Sequence, residues 1–108
     1  MVRDQDYFEG YEFRLNWTSS EPFHPRNETV EVRLTAKDGQ EYSANFTAHG
    51  FINYMFVKNK NTGECAEGTY FCMPNMILVE EISKENVRKT IDDLIKNFEI
   101  ETYFKKID

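Results

Sequence analysis

Between Val30 and Phe46 two runs of alternating residues face each other across Asp38-Gly39, and no other stretch of this 108-residue chain restricts its fold so tightly. Val30, Val32 and Leu34 alternate with Glu31, Arg33 and Thr35, and Tyr42, Ala44 and Phe46 alternate on the return. A period of two sends one set of side chains to one face and the intervening set to the other. The pair therefore reads as an antiparallel hairpin with one buried face, and Asp38-Gly39 as the positive-φ pair of a tight turn. Tyr11, Phe13, Leu15 and Trp17 alternate with Glu12, Arg14, Asn16 and Thr18, which predicts an earlier strand. Residues 19–27 contain Pro22 and Pro25, which cannot donate to a ladder, so a loop is expected there.

After Gly50 the period changes. Phe51, Ile52, Met55 and Phe56 fall at helical spacing, and Asn59-Lys60-Asn61-Thr62-Gly63 closes the segment with Gly63 as a C′ residue. Tyr70-Phe71-Cys72-Met73 and Met76-Ile77-Leu78-Val79 are apolar runs on either side of Pro74-Asn75; they read as two strands joined by a tight turn, in preference to one strand broken by a bulge. For the last helix, Ser83 is the expected N-cap, Ile82 and Val87 a hydrophobic staple, and Val87, Ile91, Leu94, Ile95 and Phe98 the apolar stripe. The expected fold is a single α+β domain over 1–108, with a mainly antiparallel sheet of about five strands and two helices in the order β-β-β-α-β-β-α. No internal repeat, linker or low-complexity segment interrupts it.

An apolar content of 40% suffices for one core. A chain this long buries roughly 65% of its unfolded surface and needs no disulfide or metal staple. Residues 1–6 lack a signal-peptide core, and the longest aliphatic run, Met76–Val79, is too short to span a bilayer, so the cytoplasm is the expected compartment. The Asn-x-Thr triplets at Asn16, Asn27 and Asn45 are then ordinary strand and turn residues.

Few residues offer catalytic chemistry. His24 lies in the loop and His49 at the entrance to the first helix, and neither alone defines a reaction. Cys65 and Cys72, six residues apart, lack the paired spacing and ligand count of structural zinc, and they are expected to be free thiols. None of the five glycines forms a phosphate-wrapping loop. Adjacent Asp92 and Asp93 point about 100° apart on a helix, and Glu80 and Glu81 point to opposite strand faces, so neither pair converges on a proton or a metal. The expectation is no catalytic residue, no metal and no cofactor. Nine Phe, six Tyr and one Trp could stack bases only within a basic groove, which this chain lacks.

The charge pattern is the remaining functional signal. The net charge is −6, and the excess sits in two places. Residues 1–21 carry Asp4, Asp6, Glu9, Glu12 and Glu21 against Arg3 and Arg14, whereas residues 61–82 carry Glu64, Glu67, Glu80 and Glu81 with no Lys or Arg. Such fields repel nucleic acid and anionic membranes and attract basic proteins. Asp92 and Asp93 differ, since Arg88, Lys89 and Lys96 flank them at helical spacing and offer exposed ion pairs.

In its overall pattern this small acidic α+β chain resembles the immunity proteins of bacterial contact-dependent growth inhibition and related polymorphic-toxin systems, and its blocks Asn61-Thr62-Gly63-Glu64, Gly68-Thr69-Tyr70-Phe71 and Ile91-Asp92-Asp93-Leu94 are similar to a group of small bacterial proteins without a described activity. The resemblance implies an inhibitor, not an enzyme, that neutralises a cognate basic toxin of the nuclease type. On the charge argument, Glu64, Glu67, Glu80, Glu81, Asp6, Glu9 and Glu12 are the candidate partner-binding residues. The alternative is a small-ligand or sensor domain with a pocket lined by Tyr11, Trp17, Tyr54 and Phe71 between sheet and helices. An enzyme would need His24 or His49 to meet a carboxylate or Cys72 in space.

Overall fold

The computed structural model describes residues 6–17 and 24–107. Strands β1 (Glu12–Asn16), β2 (Thr29–Thr35) and β3 (Glu41–Ala48) form an antiparallel meander, with Glu12 opposite Thr35 and Thr35 opposite Glu41. The alternation seen in the sequence becomes one-sided burial. Val30, Val32, Leu34, Tyr42, Ala44 and Phe46 are all buried, while Glu31, Arg33, Ser43 and Asn45 lie half-open on the other face. The β2–β3 connection is longer than the expected tight turn. Gly39 N–H donates to Ala36 C=O and Ala36 N–H to Gln40 C=O, both at 2.9 Å, and in this loop the positive φ falls on Gly39 alone. This is a type I turn closed by a glycine bulge, which leaves Asp38 free to accept from the Gln40 N–H at 2.9 Å. Of the expected loop at 19–27, residues 19–23 lie outside the described residues, and residues 25–27 form a turn.

Helix α1 (His49–Thr62) follows β3 directly and stops at Gly63, whose φ of +83° allows its N–H to reach Asn59 C=O at 2.8 Å. A left-handed turn, Glu64–Gly68, comes next. The following stretch corrects the sequence reading: Tyr70–Met73 forms no strand. Alternate side chains of the run are partly covered without a ladder, with Phe71 edge-on to Phe51 at 6.0 Å and the Met73 sulfur 3.9 Å from Thr29 Oγ1, while Tyr70 and Cys72 are exposed. Pro74 has no N–H to give a ladder, and its carbonyl accepts from Asn45 Nδ2 at 2.9 Å. Only the second run forms a strand, β4 (Met76–Val79), and it runs parallel to β3.

Helix α2 (Lys84–Lys96) has the expected cap, with Ser83 Oγ accepting from the Asn86 N–H at 3.0 Å. Ile82, Val87 and Ile91 are buried against the sheet, and Leu94 and Ile95 pack at the margin of the core. Phe98 leaves the expected stripe because the helix has already ended; its φ is +58° and the residue is 43% exposed. A short helix α3 (Ile100–Tyr103) then leads into β5 (Lys105–Ile107), which the sequence did not suggest. β5 pairs antiparallel with Glu41–Ser43, and β4 pairs with Asn45–Ala48 on the same edge of β3, so the two diverge from its middle. The result is an α+β fold with a five-stranded, mainly antiparallel sheet, reached with a different fifth strand from the expected one.

One sheet face holds the core. Phe8 meets Tyr42 at 5.4 Å, Phe46 meets Phe104 at 6.1 Å, and Ile100 closes the layer with α2. Each such side chain contributes about 1.5–3 kcal/mol when fully buried. Among the described residues no helix is long and apolar enough to cross a membrane.

Candidate partner-binding surface

The topology separates the two acidic stretches. Asp6, Glu9 and Glu12 are exposed beside the β2–β3 loop, held there by Phe8 in the core and by the Tyr7 hydroxyl, which donates to Asp38 at 2.9 Å. Burial and this contact, together with the hydrogen bond to Tyr42 as the largest cause, push the Tyr7 phenol well above its usual range. Glu80 and Glu81 follow Val79, which lies opposite Ala48 at the far end of β3. β1 and β4 are also on opposite sides of the sheet. At about 3.3 Å per residue, the length of β3 alone puts roughly 23 Å between the two ends. Asp6, Glu9 and Glu12 therefore occupy the corner diagonal to Glu80 and Glu81, whereas Glu64 and Glu67 stand beyond the last turn of α1, 14 residues along from that end of β3.

Within the second stretch, charge from outside it reaches two of the four acids. Lys58 Nζ lies 3.7 Å from Glu64, and the Arg26 guanidinium lies 3.2 Å from Glu81. The absence of Lys and Arg between residues 61 and 82 thus did not leave all four charges free. Among the described residues, Glu67 and Glu80 have no basic partner, nor do Asp6, Glu9 and Glu12. The helix acids also differ from expectation. Asp92 accepts from the Tyr11 hydroxyl at 2.6 Å and Asp93 from Asn97 Nδ2 at 3.3 Å, while Lys89 pairs with Glu85 at 3.2 Å. Arg88 is drawn to the rings of Phe13 and Tyr11, 5.0 and 5.9 Å from their centroids, where β1 meets α2. Burial first, then the bond to Asp92, raises the Tyr11 phenol above its usual range.

Two features escaped the sequence reading. The first is α1 itself. Phe51, Ile52, Met55 and Phe56 are only half-buried, and Tyr54 and Val57, on the opposite side of the helix, are each 62% exposed. Asn59 sits in the middle of the apolar stripe, 1% exposed, and its Nδ2 has no hydrogen-bond partner among the described residues. The signal was present as the i, i+3 spacing of Tyr54 and Val57. The left-handed turn beyond it holds Cys65, Ala66 and Glu67 at φ of 52°, 52° and 62°, and Gly68 presses against the Lys60 backbone so closely that a Cβ there would clash.

The second feature is a charged network on the open sheet face. Glu31 accepts from Asn16 Nδ2 and Ser43 Oγ, each at 2.9 Å, and from Arg33 at 3.3 Å; Arg33 and Arg14 both reach Glu41. The hydrogen bond from Asn16 leads the causes that hold the Glu31 carboxyl below its usual range. No single residue in the sequence announces this network, which needs the register of three strands.

His24 and His49 are exposed, Cys65 is half-buried and Cys72 exposed, both cysteines are free, and among the described residues no three His, Cys, Asp or Glu side chains gather as a metal site. Asn16 and Asn45 stand in β1 and β3 and Asn27 in a turn. The four aromatics expected to share a pocket do not meet. Tyr11 and Trp17 flank β1, Phe71 rests on Phe51, and Tyr54 borders a shallow depression with His24, Asn27 and Glu28. No protein-family model, curated protein or solved structure matches the chain.

Proposed function

We propose that this chain is a protein-binding inhibitor of a basic partner, an immunity protein that masks the active or substrate-binding surface of a cationic, nuclease-type toxin in the cytoplasm. The observation that carries this reading is α1 and its tip, where exposed Tyr54 and Val57 are followed by Glu67 with no basic partner among the described residues. Tyrosine supplies contact area at interface centres, and uncompensated carboxylates complement Lys and Arg. A nuclease grips phosphate with basic residues, so an acidic surface laid over them competes with its substrate. The same field lifts association from roughly 10⁵–10⁶ toward 10⁸–10⁹ M⁻¹s⁻¹ at low salt, which speeds neutralisation.

The test is co-expression with the product of the gene immediately upstream. Recovery of a stable complex is expected, and Glu67→Lys or Glu80→Lys should each weaken it by roughly 2–5 kcal/mol if the charge is buried at the interface. Asp93→Lys, at a residue already bonded to Asn97, should change affinity little. Failure to recover a complex, or an equal loss from Asp93→Lys, would sink the reading.

A further inference from the structure

The sheet has three open edges among the described residues, and they are not alike. β1 shows exposed Glu12 and Arg14, and β5 shows exposed Lys105 and Lys106, charges that discourage another strand from pairing. β4 is Met-Ile-Leu-Val throughout, without a charge or a proline, and Leu78 on it is 52% exposed. Its register leaves hydrogen-bonding groups unused. The Asn45 N–H donates to Asn75 C=O at 2.9 Å, and with Asn45 opposite Met76 the parallel pattern turns Ile77 toward β3 and directs the N–H and C=O of Met76 and Leu78 outward. No bond to those outward groups occurs among the described residues. Beside them lies a groove of about 290 Å³ bordered by Ile77, Leu78, Leu94, Thr90, Tyr103 and Glu99.

We infer that β4 is a docking edge that receives an extended segment of the partner as an added strand, with alternate apolar side chains entering the groove and Lys or Arg beside Glu80 and Glu99. Unpaired N–H and C=O groups in a strand are satisfied by another extended backbone, which is what selects a strand as the occupant. Charge selects its chemistry. Glu80 continues β4 and Glu99 borders the groove, neither has a basic partner among the described residues, and the net charge of −6 disfavours a second copy of this chain in that place. The inference rests on the reading of a basic protein partner and adds where and in what conformation it is held.

The probe is an acetylated, amidated octapeptide of alternating Lys and Val, compared with the same peptide N-methylated at every second residue. Both carry the same charge, but the methylated one cannot complete a ladder. Titration of the full chain, followed by amide exchange, should show slowed exchange at Met76 and Leu78 with the first peptide and at least about tenfold weaker binding of the second. Leu78→Lys, at an exposed position, should weaken the first peptide by a similar factor. Equal affinity for both peptides, no binding of the first at millimolar concentration, or protection that maps elsewhere would overturn the docking edge. So would a dimer in sedimentation that Leu78→Lys dissociates, because the occupant would then be a second copy. These outcomes separate from the reading on which the inference rests: a toxin complex broken by Glu67→Lys but untouched by Leu78→Lys keeps the basic partner and removes the edge.

Discussion

Phe46 on β3 and Phe51 at the start of α1 are neighbours in the chain and differ in everything that surrounds them. Phe46 is wholly buried, edge-on to Phe104, in a layer where Val32, Leu34 and Ala44 are also closed to water. Phe51 is half-buried and touches Phe71, and none of the apolar residues of α1 belongs to the core. The same division holds for polar groups. On the open face of the sheet, Glu31 has three side-chain donors, whereas the buried amide of Asn59 in α1 has an Nδ2 with none. Apart from the outer edge of β4, the body made of the sheet and α2 is thus internally complete, and the arm made of α1 and the left-handed turn is not. An internally complete region determines stability; the incomplete one is where a partner gains most by covering apolar surface.

The largest expected effect tests that division directly. Phe46→Ala removes a fully buried ring from the body and should cost about 3–5 kcal/mol of unfolding free energy. Tyr54→Ala and Val57→Ala on the arm should each stay within about 0.5 kcal/mol of the parent, as exposed substitutions do. Urea titrations of the three variants decide the matter. A loss of more than 2 kcal/mol at Tyr54, on the scale of core truncations, would mean that the arm is part of the body.

This division also explains what could be read from the sequence. The β2–β3 hairpin and α2 were legible because their periodicity records one-sided burial, down to the Ser83 cap and the buried Ile82 and Val87. The Tyr70–Met73 run was misread because an apolar run records burial without saying whether the backbone pairs; here Phe71 and Met73 are partly covered by α1 and Thr29 without a ladder. β5 was invisible for the opposite reason. Two of its three residues are exposed lysines, and backbone pairing with Glu41–Ser43 defines it, so no hydrophobic period marks it. As for the surface, the pairing of its acids was not legible, because Arg26 and Lys58 reach Glu81 and Glu64 from outside the stretch. Linear charge runs do not show which charges are answered across the fold.

A smaller effect follows from strain in the arm. Cys65, Ala66 and Glu67 occupy left-handed backbone geometry that costs an L-residue about 1–2 kcal/mol each. Ala66 is exposed and its side chain makes no contribution to the core, so Ala66→Gly relieves that cost and gives back part of it as unfolded-chain entropy. A net gain of about 0.5–1 kcal/mol is expected in thermal or urea unfolding. A loss would show that the turn is not left-handed in solution. The matching change in the body, Gly39→Ala at φ +88°, should go the other way, since the bulge that closes the hairpin then carries the same penalty.

The smallest effect concerns the acid limb of stability, where the body again carries the response. Glu31 is held below its ordinary value of 4.5 by Asn16 first, with Ser43 and Arg33 adding to it. A carboxyl with a lowered folded pKa stabilises the fold fully above its unfolded value, and that contribution is lost as pH falls through the folded pKa. Glu31→Gln keeps the size of the side chain and removes the charge, so the parent should exceed the variant at pH 7 and the difference should shrink from about pH 4.5 downward. The side chain is 35% exposed, so water screens the interaction and the difference stays small. Urea midpoints at pH 7, 4.5 and 3 measure it. A difference that stays constant over that range would assign the role of Glu31 to shape and hydrogen bonding alone, and the charge network on the open face would then contribute nothing of its own to the body.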